Sequence, residues 1–395
     1  MVGNKREVYL DYAATTPVDS AVVEAMLPIF STDWGNASAL YHKGRIANQR
    51  ITEAREQIAL VLGCTPNEII FTSGGTESDN LALKGAAEYG LKKGLGNHLI
   101  VSAFEHHAVL HTAEYLKEKG FEITFLPVNQ DGLVNPAEVE RAIIPGKTRL
   151  LSVMYANNEI GTIQPIDEIS RIARKYNVPF HTDAVQAAGQ LPLKVRDLGV
   201  DMLSLSAHKF YGPKGVGLLY LRQGLQLEWQ QLGGSQERKR RAGTENVPGI
   251  VGMAKALTLA EEKRPQENLR LAGLRDRLMQ GIMSQIAGTA VNGTLDPTHR
   301  LANNLNVSFE GIDSEGLLQA LDLQGIAASN GSACNVGSIE PSHVIRAISG
   351  AENSATGTVR LTLGKYSSNE DIEYVLEKLP LVVSRMRALK QSSFA

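Results

Sequence analysis

Residues 178–214 read VPFHTDAVQAAGQLPLKVRDLGVDMLSLSAHKFYGPK, and the order of apolar and polar residues in them decides the fold. VPFHTDA (178–184) and VDMLSLSA (200–207) are apolar runs of strand length, too short for helices. Each ends in polar side chains: Asp183 and Gln186 close the first, and Ser206-Ala207-His208-Lys209 closes the second. The pattern repeats upstream in NEIIFTSG (67–74), NHLIVSAFE (97–105), FEITFLPV (121–128) and TRLLSVMYA (148–156). Amphipathic stretches such as HAVLHTAEYLKEKG and IDEISRIARKYN lie between these runs. Such alternation predicts an α/β protein with a mostly parallel central sheet and helices on both faces.

After about residue 250 the pattern changes. Leu271, Leu274, Leu278 and Ile282 make one helical stripe, and Pro265 is expected to break or kink that helix near its start. NNLNVSFEG, SEGLLQALDL and GTVRLTLG then complete a small α+β domain. The expected division is a large domain over 16–260 and a small one over 1–15 and 261–395. The small domain carries a Gly/Ser/Asn-rich segment, 329–338, which reads as a flexible loop and holds Cys334.

Composition narrows the function. With 43% hydrophobic and 21% charged residues the chain is globular, and a formal net charge of −2 lends no support to a nucleic-acid or membrane-surface partner. Two cysteines, Cys64 and Cys334, exclude a disulfide framework and suit a reducing compartment. MVGNKREVYLDYAATTPVD lacks the apolar core of a signal peptide, and no stretch approaches the ~20 apolar residues of a membrane span. A cytoplasmic location is expected.

In open α/β sheets ligands bind beyond the carboxyl ends of the strands. Five predicted strands end there in polar groups: Ser73-Gly74-Gly75-Thr76-Glu77, Glu105-His106-His107, Asn157-Asn158-Glu159, Asp183 with Gln186, and Ser206 through Lys209. TSGGTES is a Gly-Gly turn opening a helix, whose N–H groups favour a phosphate, although it lacks the GK[ST] ending of a P-loop. A desolvated lysine such as Lys209 can form a Schiff base with an aldehyde. Asp183 suits a pyridinium nitrogen, and His106 suits the face of a ring. Singly each is weak, since such lysines are mostly surface charges and such aspartates mostly caps. Together they fit pyridoxal 5′-phosphate. His106, His107 and His111 share a helical stretch without cysteine or acid partners, so no metal site is expected.

Further matching segments are YLDYAATTPVD (9–19), FTSGGTESDNLALKG (71–85), EHHAVL (105–110), NNEIGTIQPI (157–166), HTDAVQAAGQ (181–190), SAHKFYGPKGVGLLY (206–220), RAGTEN (241–246), NGSACNVGSIEPS (330–342) and VRLTLG (359–364). On these the chain resembles the cysteine desulfurases of the NifS/IscS type, in the class V aminotransferase group of fold-type I pyridoxal-phosphate enzymes. The resemblance implies that Lys209 holds the cofactor and shuttles protons. It implies Gly75, Thr76, Ser206 and His208 on the phosphate, with Thr244 supplied by the partner subunit of a homodimer. Asp183 would face the ring nitrogen, Gln186 and Asn158 the phenolic oxygen, and His106 the ring. Asn158 and Arg360 would meet the substrate carboxylate, where a guanidinium grips two oxygens.

The implied reaction takes sulfur from L-cysteine, releases L-alanine and leaves a persulfide on Cys334, for delivery to an iron–sulfur scaffold or a sulfur carrier such as a tRNA-thiolation protein. Cys334 is also the one residue considered as a transient iron–sulfur ligand. Gly331, Ser332, Ala333 and Gly337 around it favour mobility, whereas Cys64 reads as a small buried apolar residue. The sequence departs from the family pattern at Asn36-Ala37-Ser38 and at Asn330, Asn335 and Val336 around the loop. Alternatives on the same scaffold are a selenocysteine lyase, another C–S lyase, an aminotransferase, or a non-catalytic sulfur-relay scaffold. The loop thiol favours sulfur transfer over transamination, and the retained Lys209 argues against a scaffold.

Overall fold

The computed structural model describes residues 6–331, 342–349 and 356–392; Cys334 and the rest of 332–341 lie outside the described residues. In chain order the described strands are β1 (Val8–Tyr9), β2 (Ile69–Thr72), β3 (His98–Ser102), β4 (Glu122–Leu126), β5 (Thr148–Ser152), β6 (Phe180–Asp183), β7 (Met202–Ser206), β8 (Gly217–Leu221), β9 (Thr289–Val291), β10 (Asn304–Glu310), β11 (Ile326–Ala327) and β12 (Thr356–Thr362). The six apolar runs of the first half are β2 to β7. With β8 they form one sheet in the order β2-β8-β7-β6-β5-β3-β4. β3 to β7 pair in parallel, and every residue of β2, β3, β6, β7 and β8 is buried, as helices on both faces require.

One strand of this sheet is absent from the sequence reading. β8 runs antiparallel between β2 and β7. Residues 207–216 join β7 to β8 with only a 3₁₀ turn, Ala207–Lys209, and no crossover helix, so the chain must fold straight back. The reversal puts Lys209 at the carboxyl edge of the sheet. It also needs glycine at Gly217, where a Cβ would lie 2.6 Å from both Gly74 Cα and Leu205 O.

The expected break at Pro265 does not occur. A single helix, Val247–Gln285, runs through it. Pro265 is exposed, so water can replace the hydrogen bond that its missing N–H forfeits. Ile250, Met253 and Leu257 on the first half of this helix join the apolar cluster beneath the large sheet. Leu271, Leu274, Leu278 and Ile282 on the second half join another cluster, built on β10, β12 and the helix Asn369–Ser392. That cluster also contains Val8 and Leu10, because β1 pairs in parallel with β11. Residues 11–16 then pass from one cluster to the other, tied by the Thr16 N–H to His208 O at 3.0 Å. Cys64, expected to be a small buried apolar residue, is half-buried at the edge of the large cluster.

Candidate active site

The carboxyl ends of β2, β3, β5, β6 and β7 open on one cavity of about 290 Å³. Gly75, Thr76, His106, Asn158, Asp183, Gln186, Ser206, His208, Lys209 and Arg360 all line it. Thr244 does not: it is exposed and borders a separate cavity with Ser73, Gly215 and Arg241.

Lys209 leaves its 3₁₀ turn pointing at the N-terminal segment, where its Nζ donates to Ala13 O at 2.6 Å and Ala14 O at 2.8 Å. Burial, and then the Arg360 charge, push the amine down to about 8. Gln186 Nε2 donates to the same Ala13 carbonyl at 3.0 Å. Asp183 accepts the Val185 N–H at 2.9 Å, and burial raises its carboxyl to about 6. A buried acid with so few donors is suited to a cation brought by a ligand. His106 caps the helix His107–Glu118, its Nδ1 accepting the Ala108 N–H at 3.1 Å. Its proton therefore sits on Nε2, and burial with the nearby Lys209 charge holds the ring neutral, with a pKa of about 4. His208 is lowered to about 4 by the same two causes, and its Nδ1 lies 3.1 Å from Thr15 Oγ1.

Arg360, on β12, is buried at 2% exposure. Its Nη1 donates to Asn158 O at 2.9 Å and its Nη2 to Asp11 at 2.7 Å, while its Nε has no partner among the described residues. The guanidinium is thus aimed but not saturated.

Several residues that line or border the cavity escaped the sequence reading. Asp11, Ala13 and Ala14 hold Arg360 and Lys209, two of them through backbone oxygens that leave no side-chain signature. Asp79 is buried in the cavity wall, its Oδ1 3.6 Å from His181 Nε2 and without a hydrogen bond among the described residues, and burial, followed by the Asp183 charge, raises its carboxyl. Its place one helical turn after Gly75 and Thr76 was the available signal. His343 also lines the cavity. Its Nε2 donates to Glu105 O at 2.9 Å, which leaves Nδ1 to accept from His107 Nε2 at 3.1 Å. Among the described residues no set of His, Cys, Asp or Glu side chains is arranged to hold a metal ion.

The aminotransferase class-V family model matches residues 8–375. The chain belongs to this family. Within it, the class-V chain is 52% identical over 382 residues to a cysteine desulfurase IscS of Methanosarcina thermophila, covering 97% of this chain and 93% of that one. It is 48% identical over 384 residues to a cysteine desulfurase IscS of Clostridium botulinum strain Hall, covering 97% and 96%. A solved structure described as a NifS-like protein superposes with a TM-score of 0.89 at 39% identity, covering 96% of this chain and all of that one. This class-V chain is of the NifS/IscS type.

Pyridoxal 5′-phosphate is the cofactor, and the cavity fits it. The helix Gly75–Lys92 starts without a side-chain cap, so its first N–H groups are open to an anion. A Cβ on Gly75 would lie 2.8 Å from Val185 Cγ2, so only glycine lets that helix start lie flush against the sheet edge. An uncapped helix end, a desolvated primary amine and a buried acid with one donor match a phosphate, an aldehyde and a pyridine nitrogen.

Proposed function

We propose that this class-V chain is a cysteine desulfurase, removing sulfur from L-cysteine to give L-alanine and a persulfide on Cys334. The observation that carries this reading is a low-pKa amine and an unsaturated guanidinium on one buried cavity, in a chain whose only other cysteine is inert. Burial pushes the Cys64 thiol up to about 12, far from thiolate at neutral pH. Relatives named cysteine desulfurase, aligned over nearly the whole chain, support the same activity.

The bound cofactor supplies an electron sink for the pair released at the substrate α-carbon. Gly75, Thr76, Ser206 and His208 would hold its phosphate, and Asp183 would keep its ring nitrogen protonated. Gln186 and Asn158 would serve its phenolic oxygen, and neutral His106 its ring. Arg360 binds the substrate α-carboxylate and so orients the α-hydrogen towards Lys209 Nζ. With a pKa of about 8, that amine is free to take the proton in a useful fraction at neutral pH. The Cys334 thiolate attacks the substrate sulfur. The S–S bond forms as the C–S bond breaks; the β-carbon keeps the C–S electron pair and is protonated to a methyl group, Lys209 returns a proton to the α-carbon, and alanine leaves.

The reading includes a homodimer, with Thr244 entering the partner's cofactor site. Exposed Trp34, Leu40, Tyr41 and Leu232 supply apolar surface for such an interface. It also includes the two-domain division at residues 16–260 against 1–15 and 261–395, supported by the two separate apolar clusters. Downstream, the persulfide passes to a sulfur-acceptor protein, an iron–sulfur scaffold or a sulfur carrier, in the cytoplasm. No helix among the described residues is long and apolar enough to cross a membrane.

Mass spectrometry after incubation with cysteine tests the reading. One added sulfur on the Cys334 peptide, with stoichiometric alanine, is expected. Undiminished alanine and sulfide production by Cys334→Ala would overturn it.

A further inference from the structure

Glu237, Arg238 and Lys239 stand in a row in the left-handed region, at φ +45°, +58° and +66°. None is glycine. Each Cβ there crowds the following carbonyl oxygen, so such a run persists only where its surroundings impose it. The side chain of Glu237 shows how they do. The residue is 8% exposed, and its carboxylate accepts from Arg55 Nη1 at 3.1 Å, Arg55 Nη2 at 2.5 Å and the Phe71 N–H at 3.1 Å. Arg55, on the helix His42–Leu62, also donates from Nη1 to Ile69 O at 2.7 Å, and its Cζ lies 4.5 Å from the centre of the Phe71 ring.

Ile69 and Phe71 belong to β2, at the edge of the large sheet. The Arg55–Glu237 pair therefore stands where a further strand would pair, satisfying one donor and one acceptor of that edge. The turn it fixes leads on to Thr244. Gln236 Oε1 accepts the Gly243 N–H at 3.2 Å, which closes the segment on itself one residue before Thr244. Within that segment Arg241 donates to both oxygens of Glu77, at 2.8 and 3.1 Å, and Glu77 accepts the Ser73 N–H at 2.7 Å. Thr244 then follows and is exposed. Glu237 does not line the Lys209 cavity.

We propose that Glu237, clamped by Arg55, is a positioning residue for the partner subunit's cofactor site: it imposes the left-handed turn from which Thr244 is presented across the dimer interface. The proposal rests on the homodimer reading, in which Thr244 completes the partner's phosphate site. Thr244 is seven residues beyond Glu237, and a free chain of that length reaches as far as about 25 Å. The clamp, the turn and the closure through Gln236 replace that range by one placement, so the hydroxyl needs no ordering when a phosphate arrives.

The test uses holoenzyme dimers assembled from two differently tagged chains. One chain carries Lys209→Ala, so the visible absorbance of cofactor joined to lysine reports only the other chain's site. Glu237→Ala is placed either in the Lys209→Ala chain, whose Thr244 serves the reporting site, or in the reporting chain. Thr244→Ala is placed in the same two ways. Dialysis against pyridoxal 5′-phosphate gives the dissociation constant of the reporting site. In the Lys209→Ala chain either substitution is expected to raise it about tenfold to a hundredfold, the worth of one hydrogen bond to a charged group. Adding Arg238→Gly and Lys239→Gly to Glu237→Ala is expected to recover most of the affinity, because glycine adopts the turn without the clamp. A role confined to the stability of the sheet edge would gain nothing from those glycines, so an unrecovered affinity would overturn the proposal. So would a Glu237→Ala effect confined to the reporting chain, or none from the other chain where Thr244→Ala has one. If the Glu237→Ala chain does not enter a dimer, Glu237→Gln, which keeps an acceptor for the Phe71 N–H, replaces it in the same comparison. A Thr244→Ala without effect from the other chain would instead defeat the homodimer reading of Thr244, on which the proposal stands.

Discussion

Replacing Lys209 by Met should make the cofactor-free protein more stable at neutral pH, although it destroys the enzyme. The Lys209 amine is buried and its pKa falls from 10.5 to about 8. At about 1.36 kcal/mol per pKa unit, holding it charged in the folded state costs about 3.4 kcal/mol below pH 8. Losing the two hydrogen bonds to the Ala13 and Ala14 carbonyls returns roughly 1 kcal/mol each, so the net gain at pH 7 is about 1–3 kcal/mol. The pH dependence isolates the amine. Between pH 8 and 10.5 the unfolded chain binds a proton that the folded wild type has released, so wild-type stability rises with pH through that window. The advantage of Lys209→Met should therefore be about 2.5 kcal/mol smaller at pH 10 than at pH 7. His106 and His208, both lowered partly by Lys209, titrate near pH 4 and do not enter this window. Urea denaturation followed by circular dichroism, at one protein concentration and at both pH values, measures the difference. An advantage that does not change between pH 7 and pH 10 would mean that the amine is not desolvated, and the assignment of Lys209 as a base active near neutrality would lose its physical ground.

Arg360→Lys keeps the charge but loses the planar fork, so kcat/KM for cysteine should fall by about tenfold to a hundredfold, mostly through KM; an unchanged KM would show that the carboxylate binds elsewhere. Gly217→Ala forces a methyl against Gly74 Cα and Leu205 O, and overpacking of this kind costs about 1–3 kcal/mol. Because the Gly74 turn opens the helix start at the cavity, the variant should also bind the cofactor more weakly, as read by visible absorbance at equilibrium dialysis. Brief alkylation at pH 8 should label the Cys334 peptide and spare Cys64, whose thiol is held up near 12 by burial; equal labelling of both peptides would contradict that burial.

The strands were legible because buried parallel strands need continuous apolar, β-branched runs, and β2 to β7 show them. The cavity was legible because parallel strands bring their carboxyl ends to one edge, so polar residues after β2, β3, β5, β6 and β7 had to converge. β8 was missed because GLLYL carries no mark of direction; the short link from Ser206 decided that. Pro265 misled because a proline's cost depends on what faces the lost hydrogen bond, and here that is solvent.

By itself, then, the sequence determined the α/β class, the edge at which the chemistry sits and the residue types gathered there, since local periodicity and strand-end position are properties of adjacent residues. It also carried, through its motifs, the likeness to the NifS/IscS type. Only the tertiary structure decided that Asp11 pairs with Arg360, that two backbone carbonyls hold Lys209, and that the Glu237 carboxylate meets both Arg55 and the edge of β2. Contacts across hundreds of residues depend on how elements pack in three dimensions, and backbone oxygens and glycine approaches have no signature in residue type.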